Sequence, residues 1–235
     1  MTTSAHLSAN LALLSHETSL LVRTAAGLDD ETVQEASLCE GWTRAHVLSH
    51  IARNADALGN LVSWAITGRP AAMYDSPQAR DADIAAGSTR GIREIRTDLQ
   101  DSGARFASTA TGLAGSPEHT EVEMRAGRKV LGGHLPTLRL MEVVFHHIDL
   151  AAGYTFDDAD PGFVKRAVSN AIQRVRANDQ APSVTLRNDD GDTWSVAGGQ
   201  QHLTGSNAAL LLWLARGDGA GVSSEASLPE LPSWG

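Results

Sequence analysis

Hydrophobic positions recur at helical spacing through the first two thirds of the chain. Leu7, Leu11, Leu14 and Leu21 share one stripe within residues 4–26, with Ser4 as the candidate N-cap. A polar connection, GLDDETVQEASLCEGW, follows. Thr43 then opens a second helix with an apolar face of Val47, Leu48, Ile51, Leu58, Leu61 and Val62, and TGRP at 67–70 ends it. Residues 71–80, AAMYDSPQAR, read as a loop. A third helix is expected over about 81–113, carrying Ile84, Ile95, Leu99, Phe106 and Leu113. Gly87, Gly91 and Gly103 weaken it, each by up to ~1 kcal/mol against alanine. Residues 114–134 read as irregular apart from a short hairpin around TEVEMRAGRKV. Pro136 suits the first turn of a fourth helix, 136–152, because its missing N–H has no helical partner there.

The pattern changes after AAGYTFDDADPG. A helix at about 161–177 precedes PSVTLRNDDGDTWSV, which alternates like two strands around the turn NDDGD. GSNAALLLWLARG reads as a helix capped by Ser206 and stopped by Gly217, and the tail SSEASLPELPSWG as irregular. There is no internal repeat and no low-complexity segment. The expected fold class is α+β, with an N-terminal four-helix bundle over 1–155 and a smaller C-terminal α+β domain over 156–235.

Composition removes several classes of function. The 235 residues are 42% hydrophobic and 20% charged, with a formal net charge of −9. That balance argues against a general nucleic-acid binder, which needs a basic face, but leaves room for an anionic small substrate held by one or two arginines. The single cysteine, Cys39, rules out a disulfide within the chain and a cysteine-rich zinc site. The first Arg or Lys is Arg23, and no apolar run approaches the ~18 residues of a membrane span, so a cytoplasmic, reducing setting without a membrane partner is expected. G-x-G-x-x-G, P-loop, H-E-x-x-H and G-x-S-x-G patterns are all absent.

One stretch carries chemistry. RLMEVVFHHIDLA, 139–151, is apolar enough for burial yet holds Glu142, His146, His147 and Asp149. On a helical wheel Glu142, His146 and Asp149 form one strip bordering the apolar face of Met141, Val144 and Ile148, while His147 points elsewhere. On the second helix His50 and Asn54 lie one turn apart beside the apolar centre, with His46 further out. If the two helices meet, His50, Glu142 and His146 offer a divalent metal, zinc first, three ligands and leave positions open, as catalytic sites do. Asn54 or Asp149 would then orient a ligand from behind. The same spacing also suits hydrogen-bonded core histidines and a Glu–His ion pair, and it does not decide between the two. Cys39 has no base supplied by any pattern and reads as a packing residue. Trp42 reads as an anchor for the start of the second helix or as a pocket wall.

Four segments resemble the mycothiol-dependent maleylpyruvate isomerase family. LCEGWTRAHVLSHIARN (38–54) is similar to its opening motif, LPTLRLMEVVFHHIDLAAG (135–153) to its second, SPQARDADIAAGSTR (76–90) to the segment between, and ALLLWLARGDG (209–219) to its C-terminal helix. The first two also fit the wider DinB-like four-helix-bundle superfamily. The resemblance implies a DinB-like metal-binding bundle followed by a small α+β domain, with His50, Glu142 and His146 as metal ligands. It also implies mycothiol, a low-molecular-weight thiol, as cosubstrate.

In the implied reaction a thiolate adds to the cis alkene of maleylpyruvate, the resulting single bond rotates, and the thiolate leaves. A zinc ion would depress the pKa of the thiol or polarise the substrate's oxo group; the thiol role is preferred because a free thiol near pKa ~8.5 is mostly protonated at neutral pH. Asp149 is a candidate for relaying a proton, orienting a ligand or holding the thiol. Arg216 is the candidate for binding a substrate carboxylate and assisting catalysis, and Arg80 is a second carboxylate-binding candidate, unless it simply pairs with Asp81 or Asp83. The competing readings are a mycothiol S-transferase that conjugates electrophiles, a metal-dependent sensor or binding module, and a purely structural bundle. The oligomeric state is left open, with a monomer compatible.

Overall fold

Thr43 starts the central helix as expected. Its Oγ1 accepts from the His46 N–H while the His46 ring bonds back to the Thr43 N–H, a capping box that opens α2 (Arg44–Thr67). Gly68 closes α2 in the left-handed region at φ 70°, with its N–H on Trp64 O. All six residues of the expected apolar face are buried. The structure, a computed structural model, describes residues 3–232; the Ser4 side chain lies outside what it describes.

α4 (Ile92–Ala110) and α5 (Leu135–Asp149) pack on α2, α1 (Thr3–Ala26) completes a four-helix bundle against α5 and α4, and the shorter α3 (Pro77–Ser88) leans on α2. α1 lies against α5 and α4 and buries Leu7, Leu14 and Leu21. Among the described residues, no helix is long and apolar enough to cross a membrane.

The single helix expected over 81–113 is two helices. Ser76 caps α3 by accepting from the Ala79 N–H, and Pro77 takes its first turn, so α3 begins inside the stretch that reads as a loop. The chain breaks at Gly91, extended at φ −66° and ψ 152°, and Asp30 Oδ1 accepts the Ile92 N–H at 2.7 Å. Gly87 is needed for close approach: a Cβ there would lie 2.8 Å from Ser49 Oγ on α2. The weakness carried by Gly87 and Gly91 thus serves one close contact and one break.

A two-stranded hairpin, β1 (Glu121–Glu123) with β2 (Lys129–Leu131), sits where TEVEMRAGRKV places it. α5 takes Pro136 in its first turn but stops at Asp149 rather than 152. Ala151 is left-handed at φ 49°, and Arg44 of α2 captures the freed carbonyls, with Nε on Leu150 O at 2.6 Å and Nη2 on Ala151 O at 3.1 Å.

The chain divides into two units, Met1–Tyr154 and Thr155–Gly235. In the second, α6 (Pro161–Arg176) and α7 (Asn207–Arg216) pack together beside a four-stranded sheet of order β4–β3–β5–β6. β3 (Val184–Asn188) and β4 (Thr193–Val196) form the antiparallel pair around the expected turn, and Ser206 and Gly217 cap α7 as expected. Two strands escape the sequence pattern: β5 (Gln201–Gly205), parallel to β3, and β6 (Ser223–Ser224), which lies in the stretch read as tail. β5 reads QHLTG and buries Leu203 alone, so it shows no apolar alternation.

Candidate metal centre

The capped start of α2 and the last turns of α5 bring three side chains together. His50 Nε2 lies 3.1 Å from Glu142 Oε2, and His146 Nε2 lies 3.6 Å from the same oxygen. The two imidazoles meet edge to face at 4.7 Å between centroids. One donor atom from each of His50, Glu142 and His146 falls within 4.8 Å of the others. His50 is buried on α2, whereas 36% of the Glu142 side chain and 20% of His146 remain open, so the cluster has a wet face. Two imidazole nitrogens and a carboxylate on a half-open wall match the donor set of a catalytic zinc site.

Each group has a distinct electrostatic setting. Burial pushes the His50 ring below the ordinary histidine range, against the pull of Glu142. Burial also opposes a charged Glu142, but hydrogen bonds from His146 and His50 outweigh it and hold the carboxyl well below the usual carboxylate range. At His146 burial again opposes the charge, and hydrogen bonds with Asp149, Cys39 and Glu142 overcome it, raising the ring well above an ordinary histidine. A proton is therefore held among two imidazoles and a carboxylate, in the position a divalent cation would compete for.

Behind the cluster, Asp149 is fully buried and its Oδ2 accepts from His146 Nδ1 at 2.8 Å. That bond fixes the ring and turns Nε2 toward Glu142. Cys39 departs from the packing role expected of it: its Sγ lies 3.3 Å from Asp149 Oδ2, and Cys39, His146 and Asp149 form a second cluster of donor atoms within 4.8 Å. The connection is pinned there by Leu38 N–H donating to Asp149 O. No local pattern signals this contact, because 110 residues separate Cys39 from Asp149.

Arg80 projects from α3 to the other imidazole. Its Nη2 lies 3.4 Å from His50 Nδ1, its Nη1 pairs with Asp81 at 2.7 Å, and the guanidinium sits 5.9 Å from the centre of the Tyr74 ring. Trp42 meets His50 edge-on at 5.5 Å and stacks near His46 at 6.3 Å, so it both walls the site and braces the helix start. His46 is half-buried, held by Thr43 and by Ser88 Oγ rather than left near solvent.

Asn54 is placed elsewhere than behind a ligand. Its Oδ1 accepts from Arg139 Nη1 at 2.8 Å, and Arg139 is a buried residue of α5 that the sequence reading passes over although it lies three positions before Glu142. His147 points away from the cluster, as the wheel requires, onto Thr24 and the Tyr154 ring. Arg216 ends α7 in the second unit, where its Nη1 donates to Ala215 O. All three residues of the cluster belong to the first unit.

The mycothiol maleylpyruvate isomerase N-terminal domain matches residues 14–151, more than half of the chain. The chain belongs to the mycothiol-dependent maleylpyruvate isomerase family. Two solved structures are similar to this family member over 100% of both chains, at 32% identity and a TM-score of 0.91: crystal structures of the mycothiol-dependent maleylpyruvate isomerase and of a histidine-to-alanine mutant of it. No curated protein matches the chain. The family's match over 14–151 takes in all of α2 and α5, and so all three donors of the cluster.

Proposed function

We propose that this protein catalyses the mycothiol-dependent isomerisation of maleylpyruvate to fumarylpyruvate, with His50, Glu142 and His146 holding a zinc ion. The reading rests on the convergence of those three donors in a chain similar over its full length to that enzyme. When bound, zinc supplies a charge that lowers the pKa of a nearby thiol or polarises a carbonyl oxygen. The cis alkene must become a single bond for one rotation. Addition of a thiolate at one alkene carbon sends the π pair to the conjugated carbonyl oxygen as an enolate, and loss of the thiolate after rotation restores the double bond as trans.

The chain's own groups prepare this. Asp149 Oδ2 keeps a proton on His146 Nδ1, so that Nε2 presents its lone pair. For His50 to present Nε2 as well, its proton must sit on Nδ1, beside Arg80 Nη2. A guanidinium has no acceptor, so Arg80 Nη2 cannot bond to that N–H and would turn to a substrate carboxylate while Nη1 stays on Asp81. Arg216 is proposed as a second carboxylate holder from its place in the family-like C-terminal helix. The reading places the enzyme in the cytoplasm, where Cys39 stays reduced.

The test is turnover of maleylpyruvate by zinc-loaded protein with and without mycothiol. Fumarylpyruvate formed only with the thiol supports the isomerase. No turnover by protein that holds one zinc overturns it and moves the search to other electrophiles for the same thiol.

A further inference from the structure

His146 stands between two sets of donor atoms, one for each ring nitrogen. Nε2 faces Glu142 Oε2 at 3.6 Å. Nδ1 faces Asp149 Oδ2 at 2.8 Å, and the Cys39 thiol donates to the same oxygen at 3.3 Å. One donor atom each from Cys39, His146 and Asp149 lies within 4.8 Å of the others. The proposed zinc site uses neither the thiol nor Nδ1.

The backbone holds the thiol in this place. The Leu38 N–H donates to Asp149 O, the Cys39 N–H to Ser37 Oγ at 3.1 Å, and Cys39 O accepts from the Trp42 N–H. Asp149 is fully buried, but Cys39 is half-buried and 20% of the His146 side chain is open. An ion needs no cavity here, because it takes the place of protons that already lie between these donors. A thiolate beside an imidazole and a carboxylate suits a soft cation, and a thiolate discriminates for copper(I). Zinc gains less from the thiolate, and it would have to displace the thiol proton and break the bond from Asp149 to His146.

We infer that Cys39, Asp149 and His146 Nδ1 form a second metal site, for a cuprous ion, and that filling it expels the metal held by His50, Glu142 and His146. The expulsion follows from the tautomer. A neutral imidazole has one lone pair and one N–H. Copper on Nδ1 leaves the ring proton on Nε2, where it points at Glu142 and no longer offers zinc a lone pair. The thiol proton goes to solvent, and no electron is transferred. The expulsion rests on the zinc reading above; the copper site itself does not.

The probe is copper(I), added at one equivalent to the zinc-loaded full chain under nitrogen with ascorbate, followed by desalting and elemental analysis. The parent is expected to gain one copper and lose its zinc. Cys39→Ser should keep its zinc and take no copper. In competition with the chelator bicinchoninate, His146→Ala should hold copper roughly 100-fold more weakly or worse than the parent, since losing a ligand costs at least what losing an outer-shell partner does. A parent that takes no copper overturns the proposal. So does copper bound with zinc fully retained, zinc lost equally from Cys39→Ser, or copper held as tightly by His146→Ala, which would mark a lone thiol. Should the parent hold no zinc at the outset, the zinc reading fails, and the copper affinities of the parent and His146→Ala still decide this site.

Discussion

At His146 two demands meet: a raised proton affinity and the proposed role as metal ligand. Because Asp149, Cys39 and Glu142 raise its pKa well above the ordinary histidine value of 6.5, zinc must displace a proton from the cluster at neutral pH. Zinc affinity therefore climbs by about one log unit per pH unit from the acid side and flattens once pH passes the raised His146 pKa. Calorimetry in two buffers of different ionisation enthalpy should show about one proton released per zinc at pH 7. Asp149→Asn removes the charge behind the ring and should weaken zinc about 10–100-fold in a chelator competition, while the helical signal stays unchanged. These residues differ in how legible they are. His50, Glu142, His146 and Asp149 announce themselves because turn-by-turn spacing puts polar groups beside an apolar face. Cys39 and Arg139 do not, since one meets its partner across 110 residues and the other across two helices.

On top of the buried apolar core, caps and close approaches set where the elements that carry these residues begin and meet. Thr43→Ala removes the α2 cap and should cost about 1 kcal/mol in denaturant unfolding. The contact at Gly87 bears on function through α3, which carries Arg80. Gly87→Val would drive a side chain into Ser49, 2.8 Å from the first added carbon, and should cost about 1–3 kcal/mol as overpacking does. The displaced α3 should raise KM for maleylpyruvate more than it lowers kcat, because Arg80 is proposed to hold substrate. Helix ends explain where the sequence pattern falls short. Periodicity runs through Gly91 and past Asp149, but the chain stops each helix with bonds that no local pattern records: Asp30 on the Ile92 N–H and Arg44 on the carbonyls after α5. β5 is hidden for a different reason, since one buried leucine in QHLTG makes no strand pattern and its partner β3 is parallel and not adjacent in sequence.

On the scale of the whole molecule, the three proposed zinc donors lie in one unit and Arg216 in the other. A piece ending at Tyr154 should therefore still take up one zinc per chain but fail to turn over maleylpyruvate, if Arg216 holds the substrate. Uptake lost in the truncated piece would show that the bundle depends on the second unit. The change in composition after AAGYTFDDADPG made a bundle and an α+β unit readable from sequence, because helical periodicity gives way there to alternation. The central claim is that His50, Glu142 and His146 together hold one catalytic metal, and elemental analysis of purified protein dialysed against zinc tests it most directly, run beside Glu142→Ala. One zinc per chain in the parent and none in the variant, with equal helical signal, is the expected result. No zinc in the parent, or full zinc in Glu142→Ala, would contradict it.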